Sequence, residues 1–153
     1  MARGFTTALT LRPWAIAAYS VVFALAGLVA LGYVDRSSQI IDVETIVPEF
    51  YAHASNVLIS YGLIVTYGLL RLLCGARLRE IAIFTAAVIA ANYAYEMGLT
   101  LWNTKDIADA HFGALASLAT FALLAAIQRR GLKTVPAVQA AEDASKEDSA
   151  RRR

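Results

Sequence analysis

The chain has 153 residues, of which 58% are hydrophobic and 17% are charged. This composition is too apolar for an ordinary soluble domain of this length, and the apolar residues fall in four long blocks. The formal net charge of +2 gives no sign of a nucleic-acid partner, and the single cysteine, Cys74, rules out a disulfide framework or a thiolate metal cluster. The composition therefore predicts an integral membrane protein.

The first apolar block, residues 13–34, carries no charge and is long enough to cross a hydrocarbon core. Trp14 and Tyr33 mark its two ends, where interfacial aromatic residues are typical. A cleaved signal peptide is the alternative, because Arg3 and Arg12 precede the block. The block is longer than the apolar region of a typical signal peptide and lacks a convincing cleavage site, so we expect a transmembrane helix.

Three further apolar blocks predict three more transmembrane helices, at about 52–74, 80–102 and 106–127. The predicted fold class is all-α, a four-helix transmembrane bundle. The predicted domains are an N-terminal segment, the membrane domain and a tail too polar to fold alone, at 1–12, 13–132 and 133–153.

The basic residues are unevenly distributed between the two sides of this bundle. Eight lie on one side: Arg3, Arg12, Arg71, Arg77, Arg79, Arg129, Arg130 and Lys133. Two lie on the other: Arg36 and Lys105. The positive-inside rule then predicts that both termini are cytoplasmic. The acidic loop at 35–51 is predicted to be extracytoplasmic and to form a short capping element that Pro48 ends.

Polar residues form a stripe on each of the last three predicted helices. The second helix carries such residues within an arc of about 60°: His53, Asn56, Ser60 and Tyr67. The fourth carries them within about 80°: Asp106, Asp109, Gly113, Ser117 and Thr120. The third carries Asn92 and Glu96. The charged ends of the stripes are predicted to meet in the outer leaflet, as a cluster of His53, Asn56, Asn92, Glu96, Asp106 and Asp109.

An ionisable residue inside a membrane costs free energy unless it is paired or hydrated, which makes each such residue a candidate functional residue. Glu96 has no basic residue in its own helix, so we expect a partner on a neighbouring helix, His53 or Asp109. Structural roles are the alternative for the others. Asp106 could be a first-turn acid of a helix capped by Asn103, and His53 could lie solvated at the boundary. His111 projects away from the cluster and is expected at the surface.

Small residues recur at every fourth position of the third helix, at Ala82, Ala86, Ala90, Ala94 and Gly98. Such a ridge allows a neighbouring helix to approach closely, and Gly113 offers the same on the fourth helix. Because Asn92 and Glu96 lie on the opposite face, we expect the third helix to be buried on both sides.

The pattern of residues 48–125 resembles the VanZ-like and the related YjdF-like membrane proteins. The resemblance rests on the His that opens the second helix, the Glu of the third, and the run before the fourth: His53, Glu96, 102–106 and 113–115. VanZ-like sequences usually have Asn four residues after the Asp, where this chain has Ala110. The resemblance implies a link to glycopeptide (teicoplanin) resistance and to the cell envelope, in the bacterial cytoplasmic membrane, without a settled reaction.

Three functions fit these features. The cluster could bind or act on an envelope lipid or lipid-linked precursor, with a divalent cation, a cationic headgroup or acid–base chemistry at the site. The chain carries no zincin motif, nucleophile elbow or phosphate loop, so no enzyme class is predicted. Alternatively, the ridge could pack against a membrane protein partner or a second copy, making the chain an accessory subunit. The third possible function is proton translocation through Glu96. It has less support, because no comparable polar group follows Tyr67 and Thr120 toward the cytoplasm.

Overall fold

A computed structural model describes residues 9–35, 37, 43–98, 106–134 and 150. The elements in chain order are β1 (Leu9–Leu11), α1 (Pro13–Val34), a 3₁₀ turn (Val43–Thr45), α2 (Phe50–Leu73), α3 (Leu78–Gly98), α4 (Ile107–Ala126), a π-helical turn (Ile127–Gly131) and β2 (Leu132–Thr134). The predicted all-α, four-helix fold class is confirmed. All four helices are long and apolar enough to cross a membrane, so the chain is a multi-pass membrane protein.

The core of the bundle lies between α2, α3 and α4. Ile64, Ile81 and Leu124, one from each helix, are fully buried there. Helix α4 makes its most extensive contact with α2, and α1 packs on the outside of α2. Within α1 only Ala15 and Gly32 are buried, because its remaining side chains face outward or line a shallow groove.

The outer surface of the bundle is apolar on all four helices, as lipid contact requires. Large side chains are more than half exposed on each of them, among others Val21, Phe23, Ile59, Leu70, Ile83, Met97, Ile107 and Leu115. In water such a surface would drive aggregation, whereas in a bilayer it matches the surrounding acyl chains.

A two-stranded antiparallel sheet joins the two ends of the membrane domain. Strand β1 pairs with β2 so that Leu9 lies opposite Thr134 and Leu11 opposite Leu132. The sheet therefore places both ends of the domain on the same side of the membrane. The sequence did not predict it, since three-residue strands are too short to show a periodicity, and the predicted tail at 133–153 thus begins within a strand. Most of that tail, and the first eight residues, lie outside the described residues.

The loop between α1 and α2 supports the predicted capping element. A short 3₁₀ turn, Val43–Thr45, contacts α2, and Pro48 follows it. Glu49 then adopts a left-handed backbone conformation, with φ of 61°, directly before α2 begins. Arg36 and residues 38–42 of this loop, and residues 99–105 between α3 and α4, lie outside the described part of the chain.

The small-residue ridge of α3 faces outward. Ala86, Ala90, Ala94 and Gly98 are all exposed, and a Cβ added at Gly98 would meet nothing within 4 Å. The expectation that α3 is buried on both sides is therefore wrong. Its polar face packs against α2 and α4, while α1 packs on α2 and leaves the ridge uncovered.

The orientation of the bundle can be measured with an introduced thiol. We expect Ser37→Cys, in a Cys74→Ser background, to react with a membrane-impermeant maleimide in intact cells, because the loop after α1 is predicted to be extracytoplasmic. In the wild-type protein, the natural thiol of Cys74, at the opposite end of the membrane domain, should react only after the membrane is broken. The reverse labelling pattern would invert the predicted orientation.

Candidate functional site

The first turns of α2 and α4 lie side by side at the end of the bundle opposite the sheet. His53 belongs to the first turn of α2, Asp106 caps the N-terminus of α4, and Asp109 lies in the first turn of α4. The polar stripes of α2 and α4 thus meet at this end of the bundle, as the topology predicted, because both helices begin here.

His53 and Asp109 form the centre of the site. The imidazole Nδ1 lies 2.7 Å from Oδ1 of Asp109 and 3.9 Å from Oδ2 of Asp106. The His53 and Asp109 side chains are 8% and 15% exposed, whereas the Asp106 side chain is 48% exposed, so the site opens to its surroundings at Asp106. When Nδ1–H donates to Asp109, Nε2 remains available as an acceptor.

Asp106 has two roles at once. Its Oδ1 accepts a hydrogen bond from the backbone N–H of Ala108 at 2.9 Å, which caps α4, while its Oδ2 faces His53. This corrects the alternative in which Asn103 caps the helix and Asp106 is a first-turn acid. The reason is that α4 begins at Ile107, so that Asp109 takes the first-turn position. Asn103 lies outside the described residues.

Two aromatic residues fix the plane of the imidazole. Phe112 stacks on the His53 ring with centroids 4.8 Å apart and an interplanar angle of 14°. Phe50 in turn contacts Phe112 edge to face, at 6.2 Å. The sequence reasoning missed Phe112, although its position three residues after Asp109 places both on neighbouring positions of one helix face.

Glu96 is buried, with 4% exposure, on the inward face of α3. It lies one helical turn beyond Asn92 toward the end of the bundle that carries His53. Among the described residues, His53 and Asp109 bond to each other. A direct contact of Glu96 with either of them stays a prediction. Asn56, one turn below His53 on α2, is half-buried.

Asn92 belongs to a second polar level, deeper in the bundle, that joins three helices. Its Nδ2 donates to Ser60 Oγ on α2 at 2.9 Å. Gly113 on α4 makes room for it, because a Cβ there would collide with the Asn92 side-chain amide and lie 3.1 Å from Ser60 Oγ. Ser60 follows His53 by seven residues, or about 10 Å along α2. Asn92 and Gly113 are therefore packing residues.

A third polar level at the other end of α2 was not predicted. Glu80 accepts hydrogen bonds from Tyr67 at 2.8 Å and from Nε and Nη2 of Arg71 at 2.5 and 3.0 Å. On α2, the fully buried side chain of Ile64 lies between Ser60 and Tyr67. The buried hydroxyls of Thr85, Ser117 and Thr120 each donate to a backbone carbonyl of their own helix. They therefore do not connect the polar levels of the described chain, which weakens the proton-translocation hypothesis.

The predicted surface position of His111 is confirmed. Its side chain is exposed, its Nδ1 lies 2.7 Å from the Ile107 carbonyl oxygen, and its ring meets Tyr93 edge to face at 5.7 Å. It therefore serves as a natural control for the buried His53.

Charge is distributed asymmetrically between the ends of the described bundle. The His53 end carries the acids Asp35, Glu44, Glu49, Asp106 and Asp109. The sheet end carries the bases Arg12, Arg71, Arg77, Arg79, Arg129, Arg130 and Lys133. The site thus lies in a negative field that attracts cations.

The arrangement supports two kinds of chemistry. One ligand atom each from His53, Asp106 and Asp109 lie within 4.8 Å of one another, and ligand atoms about 3–4 Å apart suit a divalent cation with bonds of about 2 Å. The same pair also suits acid–base work, with Asp109 orienting the imidazole and Nε2 exchanging a proton. No protein-family model, curated protein or solved structure matches this chain.

Proposed function

We propose that this protein binds the phosphate-bearing headgroup of an envelope lipid or lipid-linked precursor at the outer leaflet, through a divalent cation held by His53, Asp106 and Asp109. The observation that carries the proposal is the buried His53–Asp109 pair beside the half-exposed Asp106. The pair supplies rigid ligands, and Asp106 lies on the open side, where a headgroup would enter.

A cation accounts for the charges of this cluster. Two carboxylates close together at the edge of a hydrocarbon layer repel each other unless a positive charge lies between them. A divalent ion would compensate both charges. Oxygen ligands with one imidazole suit several divalent ions, and three protein ligands leave coordination positions for phosphate oxygens.

The depth of the cluster favours a lipid as the ligand. His53 and Asp109 belong to the first turns of membrane-spanning helices, at the level of lipid headgroups. The resemblance of His53, Glu96 and Gly113 with their surroundings to VanZ-like proteins supports a role in the envelope, with glycopeptide or envelope-stress tolerance as the cellular readout. The excess of basic residues on the other side supports a place in the bacterial cytoplasmic membrane with cytoplasmic termini.

Calorimetric titration of the detergent-purified protein with Mn²⁺ or Zn²⁺ tests the cation. We expect one site per chain, weakened at least about tenfold by Asp109→Asn or His53→Gln, since even residues that only orient a metal ligand commonly contribute this much. His111→Gln, which removes the exposed histidine, is the matched control and should leave the affinity unchanged. Equal binding by the Asp109→Asn variant and the wild type would refute the proposed site.

The exposed ridge of α3 favours a second function, that of an accessory subunit. Ala86, Ala90, Ala94 and Gly98 form a strip of small residues on the outer face of α3, where a partner helix, or α3 of a second copy, could approach closely. In that case His53 and Asp109 would be a structural hydrogen-bonded pair between α2 and α4.

A further inference from the structure

A basic cavity lies at the end of the bundle opposite the His53 cluster. Its volume is about 550 Å³, and it is lined by Arg12, Trp14, Arg129, Arg130 and Leu132. Arg12 directly precedes α1, and the other two arginines belong to the π-helical turn that follows α4. The start of α1 and the end of α4 therefore present three guanidinium groups to one space.

Backbone contacts hold these two segments together. The N–H of Arg12 donates to the carbonyl oxygen of Gly131 at 2.7 Å. A Cβ at Gly131 would lie 2.7 Å from the Cβ of Ala15, so only glycine permits this close approach. π-Helical turns are rare and are frequently found at functional sites. The arginines are thus carried by an ordered junction of strand, turn and helix.

The three arginines are not neutralised within the described part of the chain. Arg71, another arginine at this end, forms an ion pair with Glu80. By contrast, no described carboxylate pairs with Arg12, Arg129 or Arg130. Three like charges around one cavity repel each other and favour an anion between them. The planar, forked guanidinium group is well suited to phosphate oxygens.

An apolar groove begins deeper in the membrane between the same two helices. Its volume is about 330 Å³, with Val22 of α1 on one side, Ala116, Ala119 and Leu123 of α4 on the other, and Val57 and Tyr61 of α2 also lining it. Leu123 and Ala116 precede Arg129 by six and thirteen residues, which places them about 9 and 20 Å from it along the helix axis. An acyl chain whose phosphate lies at the arginines would reach the near part of this groove, around Leu123, since one leaflet of the hydrocarbon core is about 15 Å thick.

We propose that the protein binds an anionic phospholipid in the leaflet on the side of the chain termini. The phosphate lies among Arg12, Arg129 and Arg130, and one acyl chain occupies the groove between α1 and α4. Trp14 lines the cavity at the interfacial level, where indole rings favour headgroup contact. This lipid site is separate from the His53 cluster, and its existence does not depend on the function proposed for that cluster.

Electron paramagnetic resonance with spin-labelled lipids tests this proposal on the full chain in phosphatidylcholine vesicles. The probes are phosphatidylglycerol and phosphatidylcholine labelled near the end of one acyl chain, and the measured quantity is the fraction of each that the protein immobilises. We expect the protein to immobilise clearly more phosphatidylglycerol than phosphatidylcholine. Each of the three arginines should raise this ratio about fivefold at low ionic strength. Equal immobilisation of the two lipids by the wild type would overturn the proposal.

Matched variants separate charge from folding. Arg129→Gln with Arg130→Gln should reduce the preference about twentyfold or abolish it. Arg129→Lys with Arg130→Lys keeps the charges and should retain most of it. Arg77→Gln with Arg79→Gln removes two exposed arginines at the same end but outside the cavity, and should have little effect. If that control lowers the preference as much as the change at Arg129 and Arg130, a specific site is refuted.

The groove is tested separately from the headgroup. Ala119→Phe would fill it, and should reduce immobilisation of the acyl chain of both lipids while the ratio between them persists. Inorganic phosphate at millimolar concentration should displace little of the labelled phosphatidylglycerol, because it lacks the chain. Complete displacement by phosphate, or unchanged immobilisation in Ala119→Phe, would show that the groove holds no lipid and would overturn the proposed binding mode.

Discussion

The double variant Glu96→Gln, Asp109→Asn is expected to fail to complement a deletion strain, while its abundance stays near that of the wild type. Both changes are nearly isosteric and remove only ionisable groups, so packing is preserved. Asp109→Asn withdraws the charged acceptor from His53 Nδ1, now 2.7 Å away, and Glu96→Gln removes the buried carboxylate on α3. The measurement is tolerance of glycopeptides or of envelope stress, with the protein quantified in the same membranes.

The accessory-subunit alternative makes the opposite prediction for the same assay. There the two isosteric changes should be mild, while Ala90→Leu or Ala94→Leu should separate the protein from its complex, because a bulky side chain on the exposed ridge keeps the helices apart. Ile83→Leu, a conservative change at another exposed position of α3, is the control. Full complementation by the double variant at Glu96 and Asp109 would refute the proposal of a working site.

Among Gly→Ala substitutions in the helices near the site, Gly113→Ala is expected to lower the stability of the protein most. The new Cβ would collide with the Asn92 amide and approach Ser60 Oγ, so the hydrogen bond between these two side chains must break or shift. Overpacking of this kind costs about 1–3 kcal/mol, visible as a lower midpoint of thermal unfolding in detergent.

Gly62→Ala provides the matched control for Gly113→Ala. It lies on α2, and a Cβ there would meet nothing within 4 Å, so the change should be neutral or stabilise the helix by up to about 1 kcal/mol. Adding Asn92→Ala to Gly113→Ala should recover part of the loss, since the obstructing amide is then gone. An unfolding midpoint of Gly113→Ala equal to that of Gly62→Ala would show that the close packing of α3 on α4 at this level is not as described.

The helices and the meeting of His53 with Asp109 could be predicted because each depends on a strong and simple constraint. About 20 consecutive apolar residues are needed to cross a bilayer, which located all four helices. The rotation of 100° per residue placed His53 and Asp109 on the polar faces of their helices, and the topology brought the two helix starts to one side. The approach of the two residues, though not the hydrogen bond between them, then follows from adjacent helices that run in the same direction.

The inward face of α3 could not be predicted with the same certainty, because lipid is as apolar as the protein core. In water, hydrophobicity would select the face to bury, but in a bilayer both the Ala90 ridge and the Asn92 face are acceptable to a neighbour. The hydrogen bond between Asn92 and Ser60 decides the outcome. The partners of individual polar groups, such as Asp109 for His53 and Arg71 for Glu80, depend on distances of a few ångströms that a periodicity does not contain.

The short sheet and the stacking of Phe112 on His53 were missed for related reasons. Strand pairing between Leu9–Leu11 and Leu132–Thr134 is a contact between the two ends of the domain, and neither strand carries a signal of its own. The role of Phe112 depends on how closely α2 and α4 approach each other, since it stacks on a ring from the other helix.

Pulsed electron paramagnetic resonance of protein-bound Mn²⁺ tests most directly whether His53, Asp106 and Asp109 form one cation site. Our proposal predicts a ¹⁴N coupling from a directly bound imidazole, because His53 Nδ1 faces both carboxylates. The coupling should persist in His111→Gln and disappear in His53→Gln. A bound Mn²⁺ without a nitrogen coupling in the wild type, or a coupling that survives His53→Gln, would contradict the proposal.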